Sequence, residues 1–234
     1  MDGPAASGKS AVGTRVAERL GLPFVDTGAM YRAITWLALR RGVPLDDPAA
    51  LTALAATADV AIRPPAAGSA EYATVLMDGM DATPYLRAAD VERAVSLVSA
   101  VPGVRERMVA IQRQAAGAAI VMAGRDIGTV VLPHAEVKVY LEASPEVRAR
   151  RRQAEMAAKG RVAAFEDVLA DLRRRDGIDS GRDVAPLRPA DDAVVIPTDA
   201  LSIDQVVERV LALVRRTDAG AAGVGENAWN RGSE

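Results

Sequence analysis

The chain has no cysteine and one histidine, His134. Disulfide stapling, cysteine nucleophiles and Cys/His zinc sites are thereby excluded. Aromatic residues amount to 3%, too few for a platform that stacks nucleic-acid bases. Neither sign of charge dominates: 29 basic residues stand against 31 acidic ones, for a formal net charge of -2. No nucleic-acid partner is expected from bulk electrostatics, and any anion site has to be built locally. Long apolar runs are missing, and the N-terminus lacks the basic, apolar, small-residue order of a signal peptide. No membrane partner is expected, and the cytoplasm is the expected compartment. Lysine is scarce, at Lys9, Lys138 and Lys159. Positive charge thus rests on arginine, whose planar fork pairs bidentately with phosphate, although genome composition alone produces the same bias.

What is present starts with 234 residues that are 50% hydrophobic, enough for one sizeable core. Residues 3–10 read GPAASGKS, the spacing G-x-x-x-x-G-K-[ST] of a phosphate-binding loop. Val12, Val16, Ala17 and Leu20 then recur at helical spacing. Gly3, Pro4, Ala5, Ala6, Ser7, Gly8, Lys9 and Ser10 form the expected ATP-binding loop: its amides converge on phosphate oxygens, Lys9 reaches the terminal phosphates and Ser10 ligates Mg2+. The loop alone does not separate kinase from GTPase or ATPase. Such a loop follows a buried strand, yet only Met1 and Asp2 precede Gly3, too few for a central strand of usual length. A start that omits several apolar residues is expected. If the chain truly starts at Met1, reduced stability and a mobile loop are predicted.

Further along, strands are expected over LPFVDTG, Val60 to Ile62, 118–124, Val137 to Leu141 and Ala193 to Ile196. Helices are expected over Ala29 to Arg41, Pro48 to Ala58, Ala88 to Ala100, Gly103 to Ala116, Pro145 to Lys159, Ala163 to Arg174 and Ser202 to Arg215. Pro64, Pro65 and Gly68 mark a turn, and YATVLMDGMD at 72–81 predicts a small antiparallel excursion around Asp-Gly. Alternating helices and short apolar strands predict an α/β doubly wound sheet with no second full domain. Residues 218–234 lack periodicity and are expected to be disordered.

Three further segments carry chemistry. DTGAMYR at 26–32 offers Thr27 as a helix cap and Arg32 as either a surface ion pair or a phosphate clamp. GRDIGT at 124–129 follows an apolar strand, where open sheets bind ligands. Arg148, Arg150, Arg151 and Arg152, then Arg173, Arg174, Arg175, Asp179 and Arg182, exceed what helix-surface pairing needs. A closing, phosphate-directed arginine cluster is one use of them and a nucleic-acid patch the other. His134 follows Pro133 before a strand and reads as a loop residue without a proton-transfer role.

Taken in order, DGPAASGKS, DTGAMYR, LMDG, SLVSAVPGVR, AGRDIGTVV, RRRDGIDSGRDVAPL and DDAVVIPTDALSIDQVVERV make the chain resemble the bacterial cytidylate kinases from Asp2 to about Val214. The resemblance implies a three-layer P-loop kinase fold over residues 1–217. It would have a central parallel five-stranded sheet, a monophosphate-binding insert at about 60–86 and a short arginine-rich lid at about 148–165. It implies transfer of the γ-phosphate of ATP, with Mg2+, to CMP or dCMP by a monomer. Lys9, Arg125, Arg148, Arg152 and Arg182 would be the catalytic residues, with Arg148 and Arg152 as the lid arginines that reach the transferred phosphate. Ser96, Arg105 and Asp126 would read the pyrimidine, Asp126 alternatively organising Mg2+. Arg32, Arg125 and Arg182 would clamp the acceptor phosphate, with Thr27 beside them where many relatives have serine. Arg175 and Asp179 would approach the sugar. Arm and lid would close over both nucleotides. The rival readings are a related kinase acting on UMP, AMP or shikimate, a non-catalytic P-loop ATP-binding protein, and an inactive fragment.

Overall fold

A computed structural model describes residues 1–63, 71–117 and 119–226, from 218 onward as backbone alone. The phosphate-loop motif leads straight into α1 (Lys9–Leu20), which Gly21 ends in the left-handed conformation. β1 (Phe24–Asp26) and α2 (Thr27–Arg40) follow, then α3 (Pro48–Thr57), opened by Pro48 at its first turn and capped by Asp47. β2 (Val60–Arg63), β3 (Thr74–Met77) and β4 (Met80–Asp81) form an antiparallel sheet with Val60 opposite Met77. Its hairpin turns at Asp78 and Gly79, both with positive φ, the conformation that a two-residue turn between twisted strands requires. The expected turn at Pro64, Pro65 and Gly68 lies outside the described residues.

α4 (Ala89–Ala100) and α5 (Pro102–Ala115) complete the first half of the chain. β5 (Val121–Ala123), a single π turn at Ile127–Val131, β6 (Val139–Glu142), α6 (Pro145–Ala158), α7 (Phe165–Ser180), β7 (Val194–Pro197) and α8 (Ile203–Glu226) follow.

β1 pairs in parallel with β5, and β6 in parallel with β7. Among the described residues these are two pairs, not one continuous five-stranded sheet, and the reason lies at the front of the chain. Met1 and Asp2 occupy the place between them: Gly124 N donates to Met1 O at 3.0 Å, Asp2 N donates to Val139 O at 2.7 Å, and Leu141 N donates to Asp2 O at 2.8 Å. Two residues satisfy neighbours on both sides but are too short to register as a strand.

Helices cover these pairs. One core joins α2, α3, α4, α5 and the antiparallel sheet through Met30, Ile34, Leu37, Leu51, Val75, Met77, Val98 and Met108. A second joins α1, β6, β7 and α8 through Val12, Val16, Leu141, Ile196, Val206 and Val210. The cleft lies between them.

Two helices run past their expected ends. α7 continues beyond Arg174 to Ser180 because Arg175 and Asp179, one turn apart, are both buried in ion pairs that offset the helix cost of Gly177. α8 continues to Glu226, which corrects the irregular tail expected from 218. Ala219, Ala221 and Ala222 favour this extension and Gly220, Gly223 and Gly225 oppose it, and extending a helix already nucleated costs less than starting one. Residues 227–234 lie outside the described residues. Among the described residues no helix is long and apolar enough to cross a membrane.

Candidate functional site

A cleft of about 540 Å³ runs between the phosphate loop and the arginine-bearing helices. At the loop end Gly8 has a φ of 100° and Gly3 one of 146°. A Cβ on Gly3 would stand 2.3 Å from Leu141 O, so only glycine lets the loop leave the sheet there. Ala5 to Ser10 line the cleft, while Gly3 and Pro4 lie behind it. Lys9 Nζ donates to Pro4 O at 2.6 Å and Ser7 Oγ at 3.3 Å. Burial, and after it repulsion by Arg125, hold the Lys9 pKa well below the usual lysine range. Asp26, Asp2 and Asp179 offset only part of this, so the ammonium is short of counter-charge, and the N-terminus of α1 adds its own preference for an anion.

Ser10 Oγ donates to Asp26 Oδ2 at 2.6 Å. Asp26 is a site residue that sequence reasoning missed, although it is the first letter of DTGAMYR. Burial pushes its pKa up, but Arg32, the Ser10 hydroxyl and other cations outweigh that and keep it below the ordinary value. A hydroxyl and an ionised carboxylate at the phosphate loop fit a Mg2+ ion that keeps most of its shell in water and phosphate. Among the described residues no cluster of three or more acidic or histidine side chains could hold a metal by itself. Asp26 rather than Thr27 caps α2, accepting from Gly28 N at 2.9 Å, because a carboxylate one residue earlier reaches that amide. Thr27 instead donates to Ala123 O at 3.0 Å and ties α2 to β5.

Beyond the loop the same cleft is lined by Arg32, Ser96, Arg105, Arg125, Asp126, Arg152, Arg175, Asp179 and Arg182. They arrive from α2, α4, α5, the turn after β5, α6, α7 and the segment after α7. Arg105 is buried, pairs through Nη2 with Asp126 Oδ2, donates to Ser99 O and lies over the Tyr31 ring with 5.5 Å to its centroid. Burial raises the Asp126 carboxyl despite Arg105, and pushes Tyr31 up to about 12. Arg125 Nε donates to Asp179 Oδ2 at 2.8 Å, and Arg182 Nε to Asp179 O at 3.1 Å. Arg182 Nη2 is buried without a hydrogen-bond partner among the described residues, a donor available to a ligand.

Glu92 is the second missed residue, and it touches several of these arginines. Burial favours its neutral form, but Arg32, Arg175, Arg152 and Arg87 prevail and hold its carboxyl far below the usual range. An ordinary helical glutamate carries no motif signal. Arg87 and Arg151 also line the cleft, Arg151 donating to Thr198 Oγ1 and O.

Arg148, expected to reach the transferred phosphate, does not line the cleft. It is buried on the first turn of α6, forked onto Asp176 at 3.1 and 2.6 Å, and bonded to Ala143 O and to Ala5 O of the loop. A bidentate partner one helix away takes both arms of its fork, so it braces the phosphate loop from behind.

Similarity to known proteins agrees with this geometry. The family model described as cytidylate kinase matches residues 1–216. A cytidylate kinase of Rhodococcus jostii (strain RHA1) is 52% identical over 223 residues, covering 94% of this chain and 96% of that protein. A cytidylate kinase of Geobacillus kaustophilus (strain HTA426) is 50% identical over 215 residues, covering 92% and 94%. A bifunctional pantoate ligase/cytidylate kinase of Synechococcus sp. (strain JA-2-3B'a(2-13)) matches at 47% over 217 residues, 40% of its length. With a phosphate loop facing a cluster of arginines and a whole-chain family match, this chain belongs to the cytidylate kinase family.

Proposed function

We propose that the cleft seats ATP on the phosphate loop and CMP or dCMP among the arginines, and transfers the γ-phosphate between them to give ADP and CDP or dCDP. The observation that carries this reading is that Lys9 and the Ala5–Ser10 loop line one cleft together with Arg32, Arg125 and Arg182. An acceptor monophosphate is already a competent oxygen nucleophile, so no general base is required. The residues hold the two phosphates in line and offset the charge of a loose transition state.

In this reading Arg32, Arg125 and Arg182 clamp the acceptor phosphate. Lys9 and Arg152 meet the phosphoryl group in transit. Ser96, Arg105 and Asp126 read the cytosine edge, their donors and acceptors fixed by burial, and Arg175 and Asp179 address the sugar. Ser10 and Asp26 would hold Mg2+, which when bound with ATP neutralises phosphate charge. The sheet is read as five positions, with Met1 and Asp2 at its centre. Residues 60–86 serve as the acceptor arm and residues 148–165 as the lid, which touches the arm through the Lys159–Glu71 pair and the residue just after it through the Arg161 to Arg87 O bond.

A substrate panel tests the proposal. ADP release that depends on CMP and dCMP, and falls sharply with UMP and AMP, is the expected result, since a buried site built for one hydrogen-bond pattern rejects another. Slow ATP hydrolysis indifferent to CMP would overturn it.

A further inference from the structure

Glu92, on the first turn of α4, is 7% exposed. Its Oε1 accepts from Arg32 Nε at 2.8 Å and its Oε2 from Arg175 Nη1 at 2.8 Å. Arg152 Nη2 stands 3.2 Å from Oε2, and Arg87 Nη1 stands 3.7 Å from Oε1. One carboxylate thus gathers guanidinium groups from α2, α6, α7 and the segment before α4.

Two accounts of such a carboxylate give opposite outcomes. It competes with the acceptor phosphate for the arginines, or it aims them. The geometry points to Glu92 as a positioning residue for the acceptor nucleotide, one that sets the orientation of Arg32, Arg152 and Arg175 together. Arg32 is held through Nε, the stem side of its fork, which leaves both Nη groups for another partner. Gly28 makes room for that fork, since a Cβ there would stand 2.9 Å from Arg32 Nη1. Arg152 gives Nη2 to Glu92 and Nη1 to Glu155 at 2.8 Å, so its plane is fixed at two points. Guanidinium groups this close repel one another. A central anion makes their assembly possible, and their fixed rotamers lower the ordering cost of binding an acceptor. The phosphate-loop residues are not among Glu92's ion-pair partners, so its effect falls on the acceptor side.

The inference rests on the kinase reading, so wild-type enzyme is assayed beside the variants with ATP and CMP varied separately. For Glu92→Gln the KM for CMP is expected to rise about 10-fold or more and kcat to fall about 10-fold, with the KM for ATP changed by no more than about twofold. Glu92→Asp keeps the charge that balances the arginines but draws the carboxylate back by one methylene, beyond simultaneous reach of Arg32 and Arg175. It should show the same pattern in weaker form. Glu146→Gln, which removes only the exposed partner of Arg173, serves as the control and should match wild type. A KM for CMP that stays the same or falls in both variants overturns the inference, a fall making Glu92 a competitor. Loss of kcat with both KM values unchanged, or failure of both variants to fold, assigns Glu92 to stability and also overturns it. A wild-type enzyme that transfers nothing to CMP overturns the kinase reading instead.

Discussion

The two ends of the cleft are built on different principles. The donor end is eight consecutive residues in which amides and glycine conformations shape the loop; of its two alanines, Ala5 packs against Ala149, Val168 and Leu172, while Ala6 lines the cleft. The acceptor end is made of side chains drawn from α2, α4, α5, α6, α7 and the turn after β5, each arginine aligned by a carboxylate: Glu92, Asp126 or Asp179. A backbone site depends on local conformation and tolerates change of side chain, whereas a side-chain site depends on identity and on partners far away in the chain.

The comparison is broken or upheld most directly by removing one charge from each end. Lys9→Ala and Arg125→Ala should each lower turnover by about 10²–10³-fold, the usual loss for a group that stabilises transition-state charge. The KM values should then separate, rising for ATP in the first variant and for CMP in the second. Steady-state kinetics measures both, and Arg125→Ala with wild-type turnover on CMP would remove Arg125 from the acceptor clamp.

That division also governs what could be read before the structure. The donor end is legible because GPAASGKS is contiguous and its spacing has one geometric use. The parallel strands around it were legible from apolar runs, and the antiparallel hairpin from Asp78-Gly79. On the acceptor side the residues alone singled out Arg32, the GRDIGT segment with Arg125 and Asp126, and the run that holds Arg175, Asp179 and Arg182, while the role proposed for each, and Arg105 as a reader of the base, came from the family resemblance. Glu92 and Asp26 were missed because a glutamate in a helix and an aspartate before one are ordinary in sequence; only folding brings Glu92 against arginines up to 83 positions away. Arg148 was misplaced for the converse reason. An arginine in an arginine-rich helix gives no sign of which face it occupies until Asp176 is known to lie opposite.

One residue joins the two ends, and changing it should cost less than removing either charge. Asp2 is 5% exposed and receives Ile127 N at 2.7 Å and Gly128 N at 2.8 Å, so it caps the turn that carries Arg125 and Asp126. Asp2→Asn replaces one acceptor with an amide facing a buried N–H. A loss of about 1–3 kcal/mol is expected, several degrees in Tm for a chain of this size. The KM for CMP should rise more than that for ATP, because the displaced turn belongs to the acceptor side. Thermal melts unaltered by Asp2→Asn would show that the two ends are independent.

A smaller effect separates the ends by protonation. Burial, and then Arg125, depress the Lys9 pKa. Phosphates arriving at the loop supply counter-charge, which raises it again. The nucleotide-bound loop therefore holds more protons than the free one, and ATP binding should take up protons, at most about one per nucleotide and more as pH rises. Above about pH 8 the phosphates themselves no longer titrate. Titration calorimetry in two buffers of different ionisation enthalpy reads the uptake, and Lys9→Met should abolish it. CMP binding, at the other end of the cleft, should show much less.

The smallest effect tests the claim that conformation, rather than side-chain identity, makes the donor end. Ala6 sits in the phosphate loop with a φ of 59°, a left-handed conformation that crowds a Cβ against the backbone. Glycine removes that crowding but has more freedom to lose on folding, so the two effects partly cancel. Ala6→Gly should therefore stabilise by only about 0.5–1 kcal/mol, seen as a rise of a few degrees in Tm. No arginine on the acceptor side offers a comparable gain, because each is held by a charged partner rather than by strain in its own backbone. A fall in Tm for Ala6→Gly would mean that the methyl group packs favourably in the loop, and the donor end would then depend on its side chains as the acceptor end does.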